Sequence, residues 1–270
     1  MKNVCISRMD MGSSTLVTAY LVACVGSALG LLSAERARNA TGASRNWWLA
    51  VAAVSIGGLG IWGMHFTAML GTWMGTKVAY DIPITLLSMV VAIVVVGIGL
   101  LVVRRGDDRR FWPFLVGGVI TGLGVAGMHY TGMAGIVINA DVTYHAGLVV
   151  LSIAIAVGAA TAALWATANV RGWLAVAGAS LVMGVAVTGM HYTGMHAMHI
   201  VLNPAAGIVV DNSQDLITTL IIGGAGVSVV IIFLLALTSS GDESGEDAEL
   251  LDRVMRRNET RQVGRRGPLT

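Results

Sequence analysis

The sequence predicts an all-α polytopic membrane protein: a bundle of seven transmembrane helices, built as three parallel two-helix repeats plus a seventh helix. Three observations carry this. Seven apolar stretches, at 15–34, 47–70, 83–103, 113–137, 146–168, 173–198 and 216–238, are each near the ~20 residues that a spanning helix needs. None of them contains Asp, Glu, Lys or Arg. One heptapeptide recurs three times, as Gly-Met-His-Phe-Thr-Ala-Met at 63–69 and as Gly-Met-His-Tyr-Thr-Gly-Met at 127–133 and 189–195. Composition agrees, with 55% hydrophobic and 12% charged residues and a mean hydropathy of +0.76, where a soluble domain has about 25% charged residues. The runs are continuous and too long for the ~10-residue strands of a membrane barrel.

Residues 1–14 are expected to form a short extracytoplasmic N-terminus. They lack the charged start, apolar core and small-residue cleavage site of a signal peptide, so the first span is expected to target the chain uncleaved. That span holds Cys24, while Cys5 lies outside it. A disulfide framework is therefore not expected, and Cys24 reads as a small packing residue. The second, fourth and sixth spans each open on a tryptophan, Trp48, Trp112 and Trp173, in the role of an interfacial anchor. Each carries a copy of the motif near its far end, and the third and fifth spans return the chain. The seventh closes a membrane domain over 15–238. Residues 239–270 run from acidic (Asp242 to Glu249) to basic (Arg253 to Arg266) and read as a disordered cytoplasmic tail.

The frame of the repeat is regular. His65 and His129 are 64 residues apart, and His129 and His191 are 62 apart. Gly58, Gly122 and Gly184 lie seven before each histidine, and Gly63, Gly127 and Gly189 lie two before. An even number of spans separates the copies, so the three motif helices run in one direction, related by an axis along the membrane normal. If they neighbour one another, the motifs meet at one depth. His65 is about five residues from its helix end, roughly 8 Å below the boundary. The clusters Gly57, Gly58, Gly60 and Gly118-x-x-x-Gly122 suit close helix packing.

Orientation follows from arginine and lysine. One side has Arg36, Arg38, Arg45, Arg104, Arg105, Arg109, Arg110, Arg171 and the tail residues Arg253, Arg256, Arg257, Arg261, Arg265 and Arg266. The other has only Lys2, Arg8 and Lys77. The basic side is cytoplasmic, which puts the N-terminus outside, the C-terminus inside and the motifs near the outer face. The net charge of +2 reflects this asymmetry and gives no reason to expect nucleic acid as a partner.

A histidine inside a membrane span is costly and calls for a reason. In a helix, His65 shares a face with Met69, His129 with Met133 and His191 with Met195. The small residues between them, Ala68, Gly132 and Gly194, leave room. Met64, Met128 and Met190 precede each histidine and point about 100° away. In the third copy, Met198 and His199 would extend the Met195 face. Imidazole with thioether is a soft set that suits copper over magnesium or calcium, and zinc less well because no Cys or carboxylate joins it. Tyr130 and Tyr192 are candidate outer-shell hydrogen-bond partners that would orient the imidazoles, with Phe66 in that place in copy one. Thr67, Thr131 and Thr193 read as bonding their own helix backbone.

The Met-His-Tyr-Thr signature, repeated on alternate helices of a seven-span bundle, resembles the MHYT domain of bacterial integral membrane sensors over about residues 15–238. The resemblance implies a multi-pass protein of the bacterial cytoplasmic membrane. It implies copper bound near the outer face through His65, His129 and His191, with Met64, Met128 and Met190 and with Tyr130 and Tyr192. It also implies sensing of oxygen, carbon monoxide or nitric oxide. Such domains are often fused to signalling enzymes. These 270 residues show no Gly-rich phosphate loop, nucleophile elbow or carboxylate pair, so no enzyme is expected and a separate cytoplasmic signalling partner is. Two other readings stay open. One is a copper-handling protein for acquisition or delivery, against which the inner halves of the motif helices show no polar relay. The other is a haem-binding redox protein, disfavoured by the close-packing glycines. A retinal photoreceptor is excluded, because no span carries a lysine for the Schiff base.

Overall fold

The computed structural model describes residues 4–6, 10–74, 78–105, 111–138, 140–202 and 213–236. The tail at 239–270 and the cations Lys2, Arg8, Lys77, Arg109 and Arg110 lie outside the described residues. Among the described residues, seven helices are long and apolar enough to cross a membrane: α1 (Ser13–Asn39), α2 (Gly42–Leu70), α3 (Ile82–Arg105), α4 (Trp112–Ala134), α5 (Ala146–Asn169), α6 (Trp173–His196) and α7 (Ser213–Ala236). The chain forms two compact units, Met1–Ser228 and Val229–Thr270. Of the second, the described part is the helical end of α7.

The small residues set the helix crossings. A Cβ on Gly26 of α1 would collide with the backbone of Gly60 in α2, and one on Gly57 would sit 2.6 Å from the carbonyl oxygen of Ala92 in α3. Gly122 lies as close to Val157 of α5, at 2.5 Å, and Gly118 faces Thr161 one turn along. At Gly26, Gly57 and Gly122 backbone meets backbone, so there is no side chain to move aside. Gly26→Ala is expected to destabilise the bundle by about 1–3 kcal/mol through overpacking. A lowered midpoint of thermal unfolding in detergent would show it, and an unchanged one would contradict this crossing.

The second span is not a uniform α-helix. Residues Val54–Gly63 wind as a π-helix between α-helical Gly42–Ala53 and Met64–Leu70. Four glycines in that decapeptide (Gly57, Gly58, Gly60 and Gly63) remove the side chains that hold a tight turn. Wide turns of this kind concentrate at functional sites, and this one ends directly before the first motif.

Seven short strands lie in the segments at the motif end of the bundle. They are β1 (Val4–Ile6), β2 (Asp10–Met11), β3 (Thr72–Trp73), β4 (Ala79–Tyr80), β5 (Ile136–Val137), β6 (Ala140–Tyr144) and β7 (Met198–Leu202). All pair antiparallel, as β1-β7-β6, β2-β3 and β4-β5. Periodicity reasoning overlooked them because each is only two to five residues long. They also correct one expectation. Helix α6 stops at His196, so Met198 and His199 do not extend the Met195 face; they sit on β7 opposite Tyr144 and Thr143. On β4, Tyr80 is 2% exposed, and burial pushes its phenol above its ordinary value.

At the other end, Trp112 and Trp173 are exposed as anchors should be, but Trp48 is buried and its neighbour Trp47 takes the exposed place. Arg38 reaches from the end of α1 to the carbonyls of Thr167 and Val170 at the end of α5. Arg104 of α3 donates to the Asn46 side chain of α2 at 2.7 Å. The arginines thus gather opposite the motifs, as the orientation argument requires. Cys24 is buried and unpaired, packed where a Cβ on Gly184 would go.

Candidate metal centre

Each motif histidine lies five residues before the last residue of its helix: His65 before Leu70, His129 before Ala134 and His191 before His196. Parallel helices of equal overhang bring the three to one level. The imidazoles meet there, each 1% exposed. Ring centroids are 5.0 Å apart for His65 and His129, 4.9 Å for His65 and His191, and 5.2 Å for His129 and His191, all edge to face. The Nδ1 atoms point inward: that of His65 is 2.9 Å from His191 Nδ1 and 3.2 Å from His129 Nδ1.

The outward nitrogens tell the other half. Nε2 of His65, of His129 and of His191 are buried with no hydrogen-bond partner. A buried polar atom left unpaired costs about 1–3 kcal/mol, and here there are three at one point. Against two of them stands the glycine of the next motif. A Cβ on Gly132 would lie 2.7 Å from His65 Nε2, and one on Gly194 would run into His129 Nε2. The small residue between His and Met therefore makes room for a neighbour's imidazole.

The aromatic residue after each histidine packs edge-on against it. Phe66, Tyr130 and Tyr192 stand 4.7, 4.9 and 4.9 Å from their own histidine ring. The expected hydroxyl contact to imidazole is not how the tyrosines act. The Tyr130 hydroxyl pairs with Ser152 at 2.7 Å, and that of Tyr192 is buried without a partner. The ring alone is common to the three copies, which explains why phenylalanine serves in the first. Phe66 is fully buried, so a hydroxyl there would be cut off from water. Phe66→Tyr is expected to cost about 1–3 kcal/mol of stability, measured by thermal unfolding. Outer strands rest on these rings: Tyr80 of β4 on Phe66 at 5.9 Å, and Tyr144 of β6 on Tyr130 at 5.8 Å. Burial and the neighbouring Tyr130 hold the Tyr144 phenol above its ordinary value.

All six motif methionines are buried, none more than 4% exposed. Met69, Met128, Met133, Met190 and Met195 belong to one apolar cluster with Phe66 and Trp62. Met64 packs apart from them, with Ala19 and Ala23 of α1 and Ala68 of its own helix. Thr67 and Thr193 bond the carbonyls of Gly63 and Gly189, each at 2.7 Å, as expected. Below the site, Ser55, Thr121 and Ser180 are buried polar residues that the apolar reading of the inner halves passed over. Each hydroxyl bonds a backbone carbonyl, so they form no relay.

The donor set fits a metal. The three histidines place ligand atoms all within 4.8 Å of one another. Ring nitrogens hold an ion at about 2.0–2.1 Å, which puts three of them roughly 3.5 Å apart in a plane. The separations of 2.9 and 3.2 Å approach that and need only a small outward movement of the rings. Three neutral imidazoles ringed by sulfur-bearing residues suit copper and zinc over hard cations.

The same residues carry the relationships of the chain. The sequence profile of the MHYT repeat, the bacterial signalling protein N-terminal repeat, matches residues 58–116 and 122–180. Each match opens on the glycine seven before the histidine. The bifunctional diguanylate cyclase/cyclic di-GMP phosphodiesterase MucR of Pseudomonas aeruginosa is 37% identical over 223 residues, covering 79% of this chain and 32% of that protein. The cyclic di-GMP phosphodiesterase NbdA of the same organism is 37% identical over 203 residues, covering 72% and 25%. The signaling protein YkoW of Bacillus subtilis is 30% identical over 201 residues, covering 70% and 24%. The chain thus spans a third or less of the length of these relatives. No solved structure matches it. Seven spans and such relatives make it a multi-pass protein of the bacterial cytoplasmic membrane. Two profile matches, a third motif in frame and these relatives make this chain a member of the MHYT family of bacterial signalling proteins.

Proposed function

We propose that the chain is a signal-input protein whose three motif histidines bind copper and through it sense oxygen, carbon monoxide, nitric oxide or copper itself. The observation that supports this most is the convergence of three buried Nδ1 atoms with no polar partner for any Nε2. His65, His129 and His191 would hold the ion. Met69, Met133 and Met195, with Met128 and Met190, would supply soft surroundings; Met64, packed on α1, is the weakest of the methionines as a ligand. Bound copper supplies an open coordination position for a diatomic ligand. The aromatic rings exclude water and hold the imidazoles, and β4 and β6 resting on those rings give a rearrangement of the site a route outward to the strands. Two of the relatives act on cyclic di-GMP by name, so a cytoplasmic enzyme of that nucleotide is the partner we favour.

Copper acquisition is the second reading. It is favoured by the place of the site near the outer face and opposed by its burial and by the lack of a relay beneath it. Haem fits less well, because rings in edge contact at 4.9–5.2 Å leave no slot for a macrocycle. The test is metal content and optical spectra of the purified protein beside a variant with His65, His129 and His191 all changed to Ala. Near-stoichiometric copper lost in the variant, with spectra that respond to carbon monoxide or nitric oxide, is the expected result. A Soret band, or no metal after copper-supplemented anaerobic purification, would overturn it.

A further inference from the structure

The cytoplasmic end of the bundle holds a second polar feature, at the end opposite the histidines. A cavity of about 340 Å³ opens between α1, α2, α3 and α5. Four arginines line it: Arg38 of α1, Arg45 of α2, Arg104 of α3 and Arg171 of the α5–α6 turn. Arg38 and Arg45 are half-buried and Arg104 and Arg171 stand exposed at the rim. Among the described residues that line it there is no carboxylate. Glu35 acts on Arg38 through space but does not line the cavity, and Arg171 is near enough to Arg38 to repel it.

Among the described residues, the hydrogen bonds these arginines make are to neutral groups. Arg38 donates to the carbonyls of Thr167 and Val170, Arg45 to that of Ala40 at 2.7 Å, and Arg104 to the Asn46 amide oxygen at 2.7 Å. Carbonyls orient a guanidinium but do not cancel its charge. Four like charges from four separate elements therefore converge on one opening, at the level where a bilayer presents its inner headgroups. Convergence of this kind is unfavourable unless an anion answers it. Guanidinium matches phosphate oxygens in charge and in forked geometry, and basic pockets between helices on the cytoplasmic side suit anionic headgroups.

We propose that this cavity is a binding site for a phosphate group, supplied by the headgroup of an anionic lipid or by free phosphate. The experiment uses the full chain in detergent. Native mass spectrometry with added phosphatidylglycerol or, separately, phosphatidylcholine reads lipid binding, and phosphorus NMR with inorganic phosphate alone reads the free anion. The variant is Arg45→Gln with Arg171→Gln, which leaves the Arg38 contacts in place; Arg171→Gln alone is the milder form. The control, Arg36→Gln with Arg105→Gln, removes the same charge from the same side without touching the lining. One phosphatidylglycerol held in preference to phosphatidylcholine assigns the site to lipid, and binding of inorganic phosphate without lipid preference assigns it to the free anion. In either case occupancy is expected to fall on the order of fivefold per lining arginine removed and to hold in the control. Binding of neither, or equal loss in variant and control, would overturn the proposal.

Discussion

His65→Ala is expected to weaken copper binding further than His129→Ala or His191→Ala does. The three imidazoles are equivalent in sequence but not in contact. His65 Nδ1 touches both others, at 2.9 and 3.2 Å, while His129 and His191 meet each other only by ring edges at 5.2 Å. Removing His129 or His191 leaves a pair whose Nδ1 atoms still meet; removing His65 leaves two rings in edge contact only. Loss of an outer-shell partner alone lowers metal affinity roughly 10–100-fold, so loss of the hub ligand is expected to exceed that range. Copper competition titrations with a chelator of known affinity measure it. The metal-free variant should also lose stability, because alanine leaves a void and takes from His129 and His191 the Nδ1 partner that His65 gave them, offset only in part by one fewer unpaired Nε2. Equal copper affinity in His65→Ala and the native chain would remove His65 from the site.

The second large effect falls on a glycine. Gly194→Ala puts a methyl against the His129 ring, 3.0 Å from Cδ2 and nearer still to Nε2, and Gly132→Ala does the same to His65 at 2.7 Å. The rings are enclosed, so the imidazole must leave its position. About 1–3 kcal/mol of stability is expected to go with it, together with most of the metal affinity. The first glycine of the same heptapeptide behaves oppositely. Nothing lies within 4 Å of a Cβ on Gly127 or Gly189, so alanine there should stabilise by about 0.5–1 kcal/mol through helix propensity. Two glycines five residues apart in one motif are thus predicted to respond with opposite sign. Thermal unfolding and copper titration of Gly189→Ala beside Gly194→Ala make the comparison, and loss of stability in both would refute the packing argument.

Spacing made the centre legible. Intervals of 64 and 62 residues across paired spans can only return a side chain to the same end of a bundle, so His65, His129 and His191 were readable as one cluster. Length and lack of charge placed the seven helices within a few residues of their observed ends, because a bilayer admits few other solutions. What escaped the reading depends on packing between helices. Whether Trp47 or Trp48 faces outward is a matter of rotation about the axis, which one repeat settles differently from the other two. The role of Tyr130 and Tyr192 was read from the hydroxyl, and their work is done by the ring; Phe66 was the available clue. The glycine beside a histidine cradles a neighbour's imidazole, a relation that is invisible until the helices are set side by side. The π-helical turn at Val54–Gly63 and the short strands left no periodicity to read.

The pairing of β1 with β7 bears on how the protein is made. Val4 pairs with Leu202 and Ile6 with Ile200, so a strand synthesised ahead of α1 must wait for its partner until the six spans α1 to α6 have followed. Loop closure over such a distance is slow, and an unpaired strand edge invites wrong partners meanwhile. The outer sheet can close only after the third histidine has been synthesised and inserted. Its formation follows the arrival of the last histidine ligand at that face.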